Sequence, residues 1–275
     1  MNETNFSKQT GYASHILELI LFEHNPTDVR HAVDFGINRF LVDWESRGKT
    51  GRQNHFDTEI DPATLDDLQK ICAIPGVKVW CRVNGWEPLS SPDEIEAAVA
   101  AGAYGLFLPM VRRVSEVEKF LTVIGGRCEA AILIETIEAV ELAADLALLP
   151  LNRVYFGLND FAICRGSSFI FDALKDGIIE RVREQLGKIP FGFGGATAID
   201  LGAPIPCRML LAEMARLNCQ FTFLRRSFKR DIATRDPTTV VTGIHDYWRG
   251  LHNRSPESAA SEFQKLLTTV TPLCN

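Results

Sequence analysis

One stretch of the sequence, residues 132–161 (ILIETIEAVELAADLALLPLNRVYFGLNDF), most constrains how the chain can fold. Its pattern predicts a buried strand that ends in Glu135, a helix, and a second buried strand that ends in Asp160. Two buried strands joined by one crossover helix are typical of a parallel sheet, in which both carboxylates lie at the same edge. Ionised carboxylates beside so much apolar chain need a partner, and a hard divalent cation is the natural one.

The same alternation of a short apolar strand with a helix continues along the whole chain. The strands are predicted at residues 16–22, 39–43, 77–83, 105–109, 129–135, 153–157, 189–194 and 220–224. Helix starts are marked by pairs such as Asn25-Pro26 and Asp236-Pro237, and one helix is predicted over residues 172–186. Eight units predict a (β/α)8 TIM barrel, and because no linker divides it we expect one domain, residues 1–252.

Residues 253–275 lie beyond the eighth unit and predict an extra C-terminal helix over residues 256–267. The apolar positions of this tail fall at helical spacing and form one stripe: Ala259, Ala260, Phe263, Leu266, Leu267 and Val270. An isolated helix of about a dozen residues is marginal in water, so the stripe should dock on a surface. That surface is either the chain's own barrel or a neighbouring subunit.

Composition narrows the possible partners and the compartment. The chain has 275 residues, 46% of them hydrophobic, with a net charge of −6 and a pI near 5.6, which argues against nucleic-acid binding. Its least polar stretch, residues 97–111, is shorter than the roughly 18 apolar residues of a membrane helix. The seven cysteines include no CxxC pair and read as reduced thiols, so we expect a cytoplasmic protein without membrane partners.

Charged and polar residues gather where the predicted strands end, which in such a barrel is the catalytic face. They are Asp43, Glu45, Arg82, Asn84, Glu135, Asn159, Asp160, Arg225 and Arg226. Glu135 and Asp160 predict a metal site, with helix capping by Glu135 as the alternative. Arg82 either binds substrate or forms a structural bridge with a carboxylate. Asp43 and Glu45 are candidates for a base or for water-mediated metal contacts, or else are solvated loop residues.

Other candidates at the mouth carry less specific signals. The glycine run 192–195, which includes Gly194 and Gly195, either binds an anion through backbone N–H groups or forms a tight turn. Neighbouring residues in a strand point to opposite sides, so at most one of Arg225 and Arg226 faces the mouth; we assign Arg225 to substrate binding. His55 is the histidine placed nearest to the mouth. No lysine ends an apolar strand, which argues against a Schiff-base mechanism.

Five motifs together resemble a known family of barrels. They are Asp43-Trp44-Glu45, Arg82-Val83-Asn84, Gly102–Pro109 (GAYGLFLP), Ile134-Glu135-Thr136 and Gly157-Leu158-Asn159-Asp160. In this order and spacing the chain resembles the HpcH/HpaI aldolase and citrate lyase β-subunit family of the phosphoenolpyruvate/pyruvate group. The likeness in motifs covers about residues 16–165.

The resemblance implies a metal-dependent lyase that breaks or forms a C–C bond through an enolate of pyruvate or acetyl-CoA. It implies that Glu135 and Asp160 hold the metal, Mg²⁺ with Mn²⁺ or Co²⁺ as alternatives, and that Arg82 neutralises the enolate oxygen. Asn84 and Pro109, at the ends of their motifs, are then expected beside the substrate. The family often exchanges C-terminal helices between subunits, which implies a homo-oligomer held by the tail.

One position departs from the family pattern. The aldolase branch has a histidine for proton transfer directly after Asp-x-Glu, and the citrate lyase branch usually has an acid, whereas this chain has Ser46. A serine of ordinary pKa is a poor base at neutral pH. His55, or a metal-bound water oriented by Asp43 and Glu45, remains as the candidate proton-transfer group.

Three functions stay open at this point. The first is a metal-dependent aldolase acting on a small 2-oxo acid. The second is a citrate-lyase-like enzyme that cleaves or hydrolyses a CoA thioester, for which the basic residues Lys49, Arg52, Arg112 and Arg113 would bind the CoA. The third is a non-catalytic barrel used as a binding module, although a scaffold has no need for clustered charge.

Overall fold

Eight parallel strands form a nearly closed barrel in the computed structural model, which describes residues 16–46 and 63–271. The strands are β1 Glu18–Phe22, β2 Arg39–Asp43, β3 Lys78–Arg82, β4 Gly105–Leu108, β5 Glu129–Ile134, β6 Arg153–Phe156, β7 Phe191–Phe193 and β8 Phe221–Phe223. They pair in the order β7-β6-β5-β4-β3-β2-β1-β8. Between β7 and β8 the N–H of Ala196 donates to the carbonyl of Phe223 at 2.9 Å, which draws the two edges together. The predicted (β/α)8 TIM barrel is confirmed.

Helices connect the strands and surround the barrel. They are α1 Pro26–Asp34, α2 Leu65–Cys72, α3 Ser91–Ala100, α4 Val114–Ile124, α5 Ile137–Glu141, α6 Ala143–Leu146, α7 Leu158–Cys164, α8 Asp172–Lys175, α9 Ile178–Gln185, α10 Cys207–Arg216, α11 Phe228–Ile232, α12 Pro237–Leu251 and α13 Pro256–Val270. The prediction of one helix over residues 172–186 was wrong, because Gly177 adopts a φ of 67° and separates α8 from α9. The short helix α11 was not predicted.

The centre of the barrel is filled by the inward-facing side chains of the strands, and most of the volume is aromatic. The cluster consists of Ile20, Leu41, Trp80, Phe107, Ala131, Leu133, Tyr155, Phe221 and Phe223. Two strand glycines make room for it: a Cβ on Gly105 would lie 2.6 Å from the indole Nε1 of Trp80, and one on Gly192 would lie 2.3 Å from the carbonyl of Phe221. This aromatic plug separates two charged layers, one at each end of the strands.

The C-terminal helix α13 packs against α10 of its own chain. Leu266 and Val270 are buried there, and the guanidinium of Arg216 lies 4.2 Å from the ring centroid of Phe263. Docking of the tail is thus seen on the chain's own barrel, and exchange of this helix between subunits stays a prediction. Within residues 16–46 and 63–271, no helix has the length and apolar character needed to span a membrane.

Candidate active site

Glu135 and Asp160 are both buried at the C-terminal end of the barrel, 2% and 8% exposed. Glu135 directly follows β5, and its side chain points into the mouth because the alternate residues Ala131 and Leu133 face the barrel centre. Asp160 is not the end of a strand, as the sequence suggested, because β6 ends at Phe156 and Asp160 lies in the first turn of α7. The pairing of the two carboxylates does not depend on that difference.

Two backbone features hold the carboxylate of Glu135. The N–H of Met110 donates to its Oε1 at 2.8 Å, and Met110 has a φ of 54°, the left-handed region that a residue with a side chain rarely adopts. On the other side, a Cβ on Gly157 would lie 2.5 Å from Oε2. Only glycine allows the carboxylate this position. The hydroxyl of Thr136, which caps α5, also donates to the carbonyl of Val111, so the loops after β4 and β5 are joined beside Glu135.

The electrostatics of the pair show why a cation belongs here. Burial, together with the charges of Asp160 and Glu45, raises the pKa of Glu135 to about 8 against the opposing effects of Arg82 and the Met110 N–H. Oδ1 of Asp160 is buried and accepts no hydrogen bond from any described residue. Such an oxygen costs free energy unless another group satisfies it.

The residues present fit a hard divalent cation. Mg²⁺ typically binds through one or two carboxylates and keeps several waters or substrate oxygens as its other ligands. Glu135 and Asp160 supply two such carboxylates, and one oxygen of Asp160 is buried and accepts no hydrogen bond from the described part of the chain. Among the residues that the structure describes, no group of three or more His, Cys, Asp or Glu side chains forms a fuller metal cage.

Arg82, the last residue of β3, is held by two carboxylates, one from the last residue of β2 and one from the segment directly after it. Its Nε and Nη2 donate to the two oxygens of Asp43 at 2.9 and 2.7 Å, and its Nη1 lies 3.3 Å from Oε2 of Glu45. Burial alone would lower the pKa of Arg82, but the charges of Asp43 and Glu45 raise it overall. The guanidinium therefore stays charged, and its plane is fixed by the bidentate pair.

Asn84 has partners within the protein. Its Nδ2 donates to the carbonyl of Trp44 at 3.2 Å and to Oε1 of Glu94 at 2.8 Å, and its Oδ1 accepts the N–H of Ser46 at 3.0 Å. Glu94 lies in the first turn of α3 and was not singled out from the sequence. The sequence showed only that Glu94 belongs to a helix. Its contact with Asn84 could not be read, because the two residues are ten positions apart and lie in different elements.

The other predicted site residues differ in what surrounds them. Pro109 is buried directly after β4. The carbonyl of Gly194 accepts the hydroxyl of Tyr155 at 2.7 Å, and the carbonyl of Gly195 accepts Nε of Arg225 at 3.0 Å. Arg225 also donates to the carbonyl of Ile205, so its guanidinium holds the loop after β7. Anion binding at these residues stays a prediction, and His55, Lys49 and Arg52 lie outside the described residues.

Comparisons with known proteins bear on the fold. No protein-family model matches the chain, and no curated protein matches it. Among solved structures, an HpcH/HpaI aldolase from Desulfitobacterium hafniense DCB-2 is 14% identical with a TM-score of 0.54, over 88% of this chain and 94% of the other. The citrate lyase β subunit from M. tuberculosis, complexed with oxaloacetate and magnesium, is 16% identical with a TM-score of 0.56, over 85% and 97%.

A third structure, protein CitE from Mycobacterium tuberculosis with magnesium and pyruvate, is 13% identical with a TM-score of 0.60, over 90% of this chain and 98% of the other. At such identities the likeness is one of fold. The chain has the barrel fold of HpcH/HpaI aldolases and citrate lyase β subunits. The resemblance seen in the sequence motifs is confirmed at that level.

Proposed function

We propose that this protein is a divalent-metal-dependent lyase of the aldolase type, which cleaves or forms a C–C bond of a small 2-oxo acid. The observation that carries the proposal is the pair Glu135 and Asp160, buried beside the charged fork of Arg82. A stabilising network would not leave a buried Asp160 oxygen without a hydrogen bond among the described residues. The substrate-bound neighbours, complexed with magnesium and oxaloacetate or pyruvate, support the same class.

Each residue has a defined task in this proposal. Glu135 and Asp160 would hold the cation, Mg²⁺ or alternatively Mn²⁺ or Co²⁺, and the bound cation would polarise the carbonyl group of the 2-oxo acid. Arg82 stabilises the negative charge that develops on the carbonyl oxygen, because its guanidinium is already oriented by Asp43. Glu45 lies on the other side of the same guanidinium. In this proposal it orients the proton-transfer group, for which a metal-bound water is the candidate beside it.

Exchange of the methyl protons of pyruvate with deuterium is the direct test, because it needs only the metal, Arg82 and a base. NMR should show loss of the methyl signal with Mg²⁺ and wild-type protein, and no loss after EDTA treatment. The Glu135→Gln variant should be inactive under the same conditions. If the wild-type protein shows no exchange with Mg²⁺, Mn²⁺ or Co²⁺, the proposed function is wrong.

A second candidate substrate is an acyl-CoA thioester. It is favoured by Arg112 and Arg113, which are exposed on the loop between β4 and α4, near the mouth. Arg112 also pairs with Glu138 at 2.5 Å, so one of the two charges is partly compensated. Parallel cleavage assays with a 2-oxo acid and with an acyl-CoA separate the candidates. A non-catalytic binding role would show metal binding without either activity.

Assembly and location complete the proposal. We propose a cytoplasmic homo-oligomer in which α13 contributes to the interface. Truncation after Asn253, followed by light scattering, tests this. A truncated protein that keeps the full-length mass of the assembly would show that α13 serves only its own barrel, where Leu266 and Val270 are buried.

A further inference from the structure

The short segment from Trp44 to Ser46 carries Glu45 beyond the end of β2, and it is tied to β3 by more than ladder hydrogen bonds. The N–H of Trp44, directly after β2, donates to the carbonyl of Arg82 at 2.9 Å. Beyond it, the side-chain amide of Asn84 accepts the N–H of Ser46 and donates to the carbonyl of Trp44. The amide thus bonds to the peptide groups on both sides of Glu45.

Asn84 is fixed in turn by Glu94 of α3. Oε1 of Glu94 accepts both the backbone N–H of Asn84, at 3.0 Å, and its side-chain Nδ2, at 2.8 Å. The first bond holds the carboxylate beside Asn84, and the second fixes the amide with its nitrogen toward Glu94 and its oxygen toward Ser46. Asn84 is 6% exposed and Glu45 is 4% exposed, so the arrangement is formed away from bulk water.

We propose that Asn84 and Glu94 are positioning residues that hold the carboxylate of Glu45 against Arg82. Glu94 orients the amide of Asn84, the amide clamps the backbone around Glu45, and Glu45 lies 3.3 Å from Nη1 of Arg82. The inference rests on the proposed function for its consequence in turnover. Asn84 then acts through Glu45 and not by binding the substrate itself, which is a different role from the one that the sequence motif implied.

The clamp that Asn84 and Glu94 form around Glu45 matters because it fixes the backbone of a loop. A carboxylate on a loop, unlike one on a strand, has no ladder to fix its backbone, and catalytic groups lose much of their effect when they move by about 1 Å. Partners that orient an active-site group typically change its performance by roughly 10–100-fold when they are removed. Here the clamp uses three hydrogen bonds from one amide, so a single substitution can release it.

Two substitutions with a matched control test the proposal. Asn84→Asp keeps the acceptor for Ser46 but places a carboxylate where the donor met Glu94 and Trp44. Glu94→Ala removes the acceptor, whereas Glu94→Gln keeps an oxygen in its place and should rescue. The control is Glu96→Ala in the same helix, whose carboxylate pairs with Arg127 on the surface. Thermal unfolding of every variant shows whether the fold is intact.

We expect Asn84→Asp and Glu94→Ala to lower the rate of pyruvate methyl exchange at saturating pyruvate by roughly 10–100-fold, with KM changed by less than about twofold. Mg²⁺ affinity by calorimetry should stay within about twofold of wild type, because Glu135 and Asp160 are untouched. In the background of Glu45→Gln, Asn84→Asp should add little, since both changes act on the same group. Glu94→Gln and Glu96→Ala should exchange at the wild-type rate.

A readout that needs no activity keeps this inference separate from the proposed function. The Ser46 amide should lose its protection against hydrogen exchange, followed by NMR, in Glu94→Ala, where the amide of Asn84 is no longer fixed, but not in Glu96→Ala. If wild type exchanges no pyruvate protons, the proposed function fails, and the protection data alone then decide whether the clamp exists. Wild-type protection of the Ser46 amide in Glu94→Ala, a change in KM alone, or additive effects of Asn84→Asp with Glu45→Gln would overturn the positioning role.

Discussion

Arg82 and Arg153 lie at opposite ends of the same barrel, and their side chains are equally buried, 10% exposed in each case. Each guanidinium pairs with two carboxylates, and each lies over an aromatic ring, 5.5 Å from the centroid of Phe22 and 4.5 Å from that of Trp80 respectively. Local geometry therefore hardly distinguishes them. The difference lies in the charges around each pair.

At the N-terminal end the charges compensate one another. The N-terminal cluster consists of Glu18, Arg39, Lys78, Glu129 and Arg153. Burial alone would raise the pKa of Glu18, but hydrogen bonds and charges from Arg153 and Arg39 lower it overall. Lys78 reaches Glu129 through the hydroxyl of Tyr104, with bonds of 2.8 and 3.0 Å. This cluster is arranged for stability.

At the C-terminal end the negative charges are in excess. The C-terminal cluster consists of Asp43, Glu45, Arg82, Glu135 and Asp160. Asp43 and Glu45 already pair with Arg82. Burial and the nearby charges of Asp160 and Glu45 raise the pKa of Glu135 to about 8. So unfavourable a group supports the proposal that the pair binds a cation, and in barrels of this fold the active site lies at the same end of the strands.

The largest effect is expected when one of these excess negative charges is removed by substitution. Glu135→Gln or Asp160→Asn should abolish tight Mg²⁺ binding, with a loss beyond the roughly 100-fold that follows removal of an outer-sphere partner. The fold should stay cooperative, because each change replaces a carboxylate by an amide of the same shape. Calorimetric metal titration is the measurement, and Glu129→Gln in the N-terminal cluster is the matched control. Unchanged Mg²⁺ affinity in both Glu135→Gln and Asp160→Asn would show that the C-terminal cluster does not bind the metal.

The second prediction concerns the separate replacement of Arg82 and of Arg153 by lysine. Arg82→Lys keeps the charge but loses the fork that meets both oxygens of Asp43, so turnover should fall by roughly 100-fold or more, about 3 kcal/mol. Arg153→Lys should lower the melting temperature and leave turnover near wild type. Steady-state kinetics and thermal unfolding on both variants are compared. Equal losses of turnover, or none in Arg82→Lys, would show that both arginines are structural.

The two ends should also respond oppositely to pH in the metal-free protein. Folded Glu135 binds a proton up to a pH of about 8, whereas the unfolded chain releases it near the ordinary value of 4.5. The free energy of unfolding should therefore fall as the pH rises from about 4.5 to about 8, with an upper bound of about 5 kcal/mol. The lowered pKa of Glu18 acts the other way, and its stabilisation is lost as the pH falls below 4.5 through the folded pKa.

Thermal unfolding in EDTA across this pH range measures both effects. Glu135→Gln should flatten the decrease between pH 4.5 and 8, and Glu18→Gln should flatten the loss at acid pH. A decrease of unchanged size in Glu135→Gln would mean that another group carries the titration. Added Mg²⁺ should reverse the trend in the wild-type protein above pH 7, because a bound cation favours the ionised carboxylate.

The sequence indicated where the excess charge lies, but not which residues hold the charged side chains in place. The eight strands and the residues Arg82 and Glu135 were readable because short apolar runs end in charged residues. Asp160 was placed at the end of a strand because it closely follows the apolar run of residues 153–156, whereas in the structure Gly157 is the N-cap of α7. The need for glycine there arises from the carboxylate of Glu135, which follows a different strand, and no local pattern reveals it.

The support from Met110 and Glu94 was invisible for the same reason. A methionine in the left-handed region has no sequence signature, and its N–H meets a residue 25 positions away. Glu94 looks like an ordinary acidic residue in the first turn of a helix. Contacts of this kind become readable only once the strands are in register. The roles assigned to Asp43, Glu45 and Arg225 stay predictions.

The smallest expected effect concerns the position where the family motif has a histidine or an acid. Ser46 is exposed, and the bond that ties it to the mouth comes from its backbone N–H to Oδ1 of Asn84. Ser46→Ala keeps that bond, so turnover and Mg²⁺ affinity should stay within about twofold of wild type, as for other exposed substitutions. A tenfold or larger fall in pyruvate exchange would show that the hydroxyl takes part in proton transfer. The C-terminal cluster would then need Ser46 as a further member, and its contrast with the N-terminal cluster would no longer be one of charge alone.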